Sequence, residues 1–302
     1  MNKNQVLKIG FKNIPVRLIL VRLTDVWQEI KSHNNTSKSA CSLLGEALAA
    51  SALLMSNIKI EGSVSLQIQS TNSDLSMLFA ECSHKFGMRG IVNLKNEIKD
   101  LDINSLINGN SHFVVNILPE QKHLNSYQGI IPLHADDNGS FNMQRAISNY
   151  MRDSEQIDTN IWLISDDNVS VGMLLQKMPS EGGYNYELEE DWVTIKHLAS
   201  TVRKEELLNL DLLTIVQLLF NDYIEQEKVV VLEDKSPYFY CTCSLQKAEN
   251  AIKTALVDAS VDEIMENKQE LIVDCNFCAK KYRFSYSDCG KIYHSLYESK
   301  KI

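Results

Sequence analysis

Three absences narrow the reading of this chain before any motif is considered. Basic residues are in the minority, with 30 Lys and Arg against 39 Asp and Glu, for a net charge of −9. Phosphate backbones are held by clustered Lys and Arg, so no specific nucleic-acid partner is expected. Catalytic signatures are also missing: there is no Gly-x-Ser-x-Gly, P-loop, Gly-x-Gly-x-x-Gly or His-Glu-x-x-His. The seven histidines (His33, His84, His112, His123, His134, His197 and His294) are scattered, with no pair at ligand spacing. They read as surface or hydrogen-bonded residues, and an enzyme is not expected. The third lack is a clean apolar run. The longest candidate, "SACSLLGEALAASALLMSNI" (39–58), is broken by Glu46 and several serines. It reads as a buried helix, too polar for a membrane span. The first residues, "MNKNQVLKIGFKN", show no apolar signal core. The expectation is a cytoplasmic protein with no membrane partner, whose thiols are kept reduced.

What is present is ordinary globular composition, 44% hydrophobic and 23% charged over 302 residues, with ample material for a core. The charge is unevenly placed. Residues 1–178 carry 16 basic and 17 acidic side chains, residues 179–235 carry 5 and 13, and residues 236–302 carry 9 of each.

These boundaries also separate three textures. In 1–178, strand patterns alternate with a few helices. "VRLILVRL" (16–23) is continuously apolar except for its arginines, as a well-buried strand is, and Thr24 stands where a helix N-cap belongs. "GSVSLQIQS" (62–70) alternates at period two. Further strands are expected at 75–81, 86–94, 112–118, 127–133, 160–165 and 171–178, with an amphipathic helix over 141–151. This is an α+β domain and not a doubly wound parallel sheet. Residues 179–235 form an acidic, leucine-rich helical linker. Its apolar faces need a neighbour to be buried, which makes it a candidate for marginal stability. Residues 236–302 form a small α+β module of a size that often requires a staple.

Four of the seven cysteines supply one. "CTC" (241–243) and "CNFC" (275–278) form two tight pairs with 31 residues between them. Four thiolates in two chelating pairs suit the closed tetrahedral coordination of Zn²⁺, so Cys241, Cys243, Cys275 and Cys278 are the expected ligands of one structural zinc. Four protein ligands leave no place for a catalytic water. Two roles are open on spacing alone. The metal is either a rivet holding the module, or a switch, because metal-bound thiolates are already deprotonated and open to oxidants. Cys41 and Cys82 read as small core residues and Cys289 as incidental.

Taken in order, several stretches resemble the heat shock protein 33 family of redox-regulated holdase chaperones. They are "GMRG" (87–90), "YMRDSEQ" (150–156), "GMLLQKMP" (172–179), "KEELL" (204–208), "CTCS" (241–244) and "CNFCAKKYRF" (275–284). Each is weak alone; their order and spacing are specific. The resemblance implies a chaperone domain, a metastable linker and a C-terminal zinc switch, inactive when reduced. Oxidation would expel zinc and form the disulfides Cys241–Cys243 and Cys275–Cys278. Unfolded client proteins would then be held without ATP by an oxidised homodimer. Trp192, Leu208, Leu212 and Phe220 of the linker are candidate client-binding residues, though each equally suits a core position. The chain departs from the family where "LQK" (245–247) follows CTCS in place of a more basic run, and where the turn "NKQE" (267–270) lacks a glycine. Rival readings are a static zinc-stapled interaction protein and a zinc-ribbon nucleic-acid binder, the latter supported only by Lys280, Lys281 and Arg283.

Overall fold

The structure is a computed structural model that describes residues 4–70, 73–96, 106–107, 111–121, 123–133, 141–179, 186–265 and 269–298. It divides into two compact units, Met1–Tyr240 and Cys241–Ile302.

The first unit is built on two sheets. Strands β1 (Gln5–Phe11), β2 (Ile14–Leu23), β8 (Thr159–Ser165), β9 (Ser170–Lys177) and β10 (Val229–Lys235) form one, in the order β10-β1-β2-β9-β8. The other contains β3 (Gly62–Ser70), β4 (Leu75–Ser83), β5 (Gly87–Leu94), β6 (Ser111–Pro119), β7 (Tyr127–Leu133) and the two-residue β11 (Tyr238–Phe239), in the order β11-β5-β4-β3-β6-β7. Every pairing in these sheets is antiparallel except β11 on β5. The α+β class read from the sequence is therefore the class of the fold.

Helix α2 (Lys38–Asn57) lies in the core shared by the two sheets, together with α1 (Asp25–Ser32) and α3 (Met143–Asp153). Its burial on nearly all sides explains its Ala- and Leu-rich sequence. Contrary to the sequence expectation, α2 is long and apolar enough to cross a bilayer despite its serines. However, 83% of its apolar window is buried inside the fold, and its role here is that of a core helix. Gly45 lets it approach β8: a Cβ there would collide with the Ser165 side chain. The Ser170 hydroxyl donates to the Gly45 carbonyl at 2.6 Å.

Strand β2 is buried on both faces, and its period of two divides it between two cores. Ile19, Val21 and Leu23 face the α2 layer, while Val16, Leu18 and Leu20 face a second apolar layer. That second layer is made by α4 (Tyr186–Ser200), α5 (Lys204–Asn209) and α6 (Leu212–Glu225). The acidic helical segment thus lies on the outer face of the five-stranded sheet. Phe11 of β1 meets Phe220 edge-on with ring centroids 5.3 Å apart, and Tyr223 at 5.6 Å. Such pairs fix how α6 sits on the sheet as well as burying area.

One local expectation is corrected. Thr24 occupies the N-cap position of α1, but its side chain makes no capping bond. Asn4 does that work from β1's approach: its Oδ1 accepts from the backbone N–H groups of Thr24 at 2.7 Å and Val26 at 3.2 Å.

The second unit contains α7 (Leu245–Ala255), α8 (Val261–Met265), the hairpin β12 (Glu270–Asp274) and β13 (Lys281–Ser285), and α9 (Tyr286–Glu298). Its buried core among the described residues is Ala248, Ile252, Leu256, Met265, Tyr282, Phe284, Cys289 and Ile292. Of the NKQE turn, Asn267 and Lys268 lie outside the described residues, while Glu270 opens β12.

Candidate metal centre

Both cysteine pairs sit where short polar turns present sulfur atoms. CTC is the loop entering α7, whose N-cap Ser244 accepts from the Lys247 N–H at 3.3 Å. Lys247 then reaches back over the loop. Its Nζ donates to the Thr242 carbonyl at 2.8 Å and contacts Thr242 Oγ1 at 3.0 Å. The LQK segment, less basic than the family pattern, still delivers one cation to the CTC loop.

CNFC is the knuckle between β12 and β13. The Cys275 N–H donates to the Lys280 carbonyl at 2.9 Å, and the Ala279 N–H donates to the Cys275 carbonyl at 2.8 Å. The tight return places Ala279 at φ 54°, left-handed backbone that a non-glycine residue adopts at a cost of about 1 kcal/mol.

The two loops bring Cys241, Cys243, Cys275 and Cys278 together, with all four Sγ atoms within 4.8 Å of one another. Two close separations run between the pairs: Cys241 to Cys275 is 3.6 Å and Cys243 to Cys278 is 3.5 Å. Zn²⁺ with sulfur bonds of about 2.3 Å has tetrahedral sulfur–sulfur edges of about 3.8 Å. The spacing fits a single metal ion held by four thiolates. The donor set is all sulfur, which favours soft or borderline metals over Mg²⁺ or Ca²⁺.

The four thiols are not equivalent. Burial pushes Cys241 up to about 12 and also raises Cys278. Cys243 is brought down to about 7, chiefly by the Tyr282 hydroxyl, which donates to its Sγ at 3.2 Å. The same hydrogen bond lifts Tyr282 to about 12. Lys280 Nζ lies 5.2 Å from the Tyr282 ring centroid, in cation–π range. Neither Tyr282 nor Lys247 was singled out as a site residue in the sequence. For Tyr282 a signal existed: the alternation in "KYRFS" sends Tyr282 and Phe284 to the buried face of β13.

The remaining cysteines lie apart from the cluster. Cys289 is buried in the second unit's core, 3.9 Å from Met265 Sδ. Cys41 and Cys82 are buried in the first unit.

The candidate client-binding residues all belong to the layer on the five-stranded sheet. Trp192, Leu212 and Phe220 are buried there, and Leu208 is partly buried against the same cluster. The apolar side chains that this segment already exposes are others: Val193, Leu213, Leu218 and Ile224.

Comparison with known proteins agrees with this architecture. The family described as "Hsp33 protein" matches residues 4–285. The 33 kDa chaperonin of Methylobacillus flagellatus is 32% identical over 284 residues, covering 94% of this chain and 92% of its own. That of Chromobacterium violaceum is 30% identical, covering 94% and 91%. Among solved structures, the 33 kDa chaperonin (heat shock protein 33 homolog) of Thermotoga maritima shares the fold. Its TM-score is 0.77 at 20% identity, covering 98% of this chain and 99% of its own. With two largely antiparallel sheets around a core helix, a C-terminal module gathering four thiols, and a family match over nearly the whole length, the chain belongs to the Hsp33 family of chaperones.

Proposed function

We propose that this protein is a redox-regulated, ATP-independent holdase of the cytoplasm, resting as a zinc-bound reduced form and activated by oxidation of the four clustered cysteines. The observation that carries the reading is the tetrathiol cluster within a unit whose own apolar core is small. In a module of this size, metal binding and folding are one free-energy term, about 10–16 kcal/mol for structural zinc. Oxidants that consume the thiolates remove the ligands and with them most of the module's reason to stay folded.

The chemistry balances with a hydroperoxide as oxidant. Each disulfide takes two electrons from two thiolates, forming one S–S bond, while one peroxide O–O bond breaks and, with two protons, yields one water and the corresponding alcohol, or two waters from hydrogen peroxide. Cys241–Cys243 and Cys275–Cys278 are the pairs carried over from the family resemblance. Peptide mapping distinguishes them from Cys241–Cys275 and Cys243–Cys278, whose sulfurs lie 3.6 and 3.5 Å apart here.

On the family resemblance, unfolding of the module is followed by release of the acidic helical segment. Its release would uncover Trp192, Leu208, Leu212 and Phe220, together with the sheet face beneath them. Unfolded proteins bind such apolar surface, and the segment's negative charge keeps a loaded complex soluble. The partners on this reading are unfolded clients and, when oxidised, a second copy of the chain. No residue is assigned a catalytic role.

The test is a paired assay on reduced, zinc-loaded protein before and after peroxide at mildly elevated temperature. It reads zinc release and suppression of aggregation of a heat-unfolded client. Zinc release with new holdase activity, both reversed by thiol and zinc, is expected. Zinc release with no gain in holdase activity would reduce the centre to a structural rivet.

A further inference from the structure

Arg22 stands out among the described residues as a charged side chain that is 2% exposed. It lies on β2 on the same face as Leu18 and Leu20, the face covered by α4, α5 and α6. Its partners are not carboxylates. Nη1 donates to the carbonyls of Leu207 at 2.8 Å and Leu210 at 2.9 Å, and Nη2 donates to the carbonyl of Leu208 at 2.5 Å. Nε is buried without a partner. Asp166 and Asp211 act on the guanidinium only through space.

The three carbonyls are no random set. α5 ends at Asn209 with Leu210 as its C-cap, and the Leu210 N–H closes the last intrahelical bond on Glu206. The last four carbonyls of a helix have no donor within it, and here those are residues 207–210. Arg22 takes three of the four, and its positive charge meets the negative end of the helix. α5 is only six residues long, so it has little cohesion of its own to hold this geometry.

The seat is also shallow. A guanidinium buried without an ion pair and with one idle donor gives up hydration that its hydrogen bonds only partly replace, and it regains that hydration if the helix leaves. We infer that Arg22 is the positioning residue that seats α5, and through it the 186–225 helical segment, on the outer face of the five-stranded sheet. It is a catch within the first unit, independent of the cysteine centre. The inference rests on the proposed function only in treating this segment as the part that is released.

The experiment is backbone hydrogen exchange, read by mass spectrometry, on full-length, reduced, zinc-loaded protein. Arg22→Met keeps most of the side-chain bulk and removes all three bonds. It should speed exchange in 204–225 by roughly tenfold or more, with β3 to β6 unchanged and zinc content intact. Arg22→Lys, which keeps the charge but lacks the fork, should fall between the two. It carries the test if Arg22→Met does not accumulate as folded protein. Unchanged or slower exchange in 204–225 would overturn the inference, and so would equal acceleration across both sheets. A client-aggregation assay on the same variants separates the two readings. A released segment with no gain in client holding supports the catch and contradicts the holdase assignment of this segment.

Discussion

The two units of this chain are stable for different reasons. The first, Met1–Tyr240, has two apolar layers: a large one around α2 between the sheets and a second between the five-stranded sheet and α4 to α6. The second, Cys241–Ile302, has among its described residues eight buried core side chains, one of them the thiol Cys289. Apolar burial scales with size, so a unit of about sixty residues is marginal without a cross-link or a metal. Among the described residues, four thiols close enough to hold one metal ion are clustered in this smaller unit. The contrast places the clustered thiols in the unit with the smaller apolar core.

The largest effect expected from this contrast comes from metal removal. Chelation under reducing conditions should abolish cooperative structure in 241–302, equivalent to losing about 10–16 kcal/mol, while the first unit's transition persists. Circular dichroism and amide NMR dispersion read both. A module that keeps its dispersion without metal would break the contrast.

Next comes a cut in the stronger unit. Leu48 of α2 is fully buried, and Leu48→Ala should cost about 2–5 kcal/mol in urea unfolding of the first unit. Zinc stoichiometry should not change. Loss of zinc in this variant would mean that the units do not answer separately.

A smaller effect is electrostatic. Burial raises the Glu46 carboxyl to about 7 from an ordinary 4.5, and Lys204 only partly offsets it. A raised carboxyl is a penalty on the ionised form, so the first unit should be most stable below pH 4.5 as far as this group is concerned. It should lose that advantage as pH rises to about 7. Glu46→Gln should remove the slope and add about 1–3 kcal/mol at pH 8. A stability difference independent of pH would show that folding does not raise the Glu46 carboxyl.

The smallest effect sharpens the weaker unit. Tyr282→Phe keeps the ring in the module's core and deletes the donor to Cys243. Peroxide should then oxidise Cys243 in the zinc-loaded protein several-fold faster, as expected for a lost hydrogen bond of about 1 kcal/mol. Differential alkylation resolves the four cysteines. Equal acceleration at all four would point instead to a loosened core.

Much of this was readable from the residues. The pairs CTC and CNFC carried the centre because four thiols in two chelating pairs suit one soft or borderline metal ion. Period-two and continuous apolar runs placed β2, β3 and β9 because burial on one or both faces leaves that mark directly in the sequence. Other features depend on partners distant in sequence. That β2 serves two cores follows from α2 on one face and α4 to α6 on the other, which no local pattern records. Asn4 replaced Thr24 as the cap donor's acceptor because β1 and the start of α1 meet in space. Arg22 looked like a polar interruption in an apolar strand until the end of α5, 185 residues away, supplied its acceptors. Tyr282 was visible as a core residue but not as a sulfur partner, since that contact joins β13 to CTC across 39 residues.

The most direct test of the account is region-resolved hydrogen exchange on one sample, reduced and zinc-loaded, before and after peroxide. The account predicts that protection is lost throughout 241–298 and substantially in 186–225, while β1 to β9 keep theirs. Protection in 241–298 that survives the loss of zinc, or that vanishes together with protection in the two sheets, would contradict it.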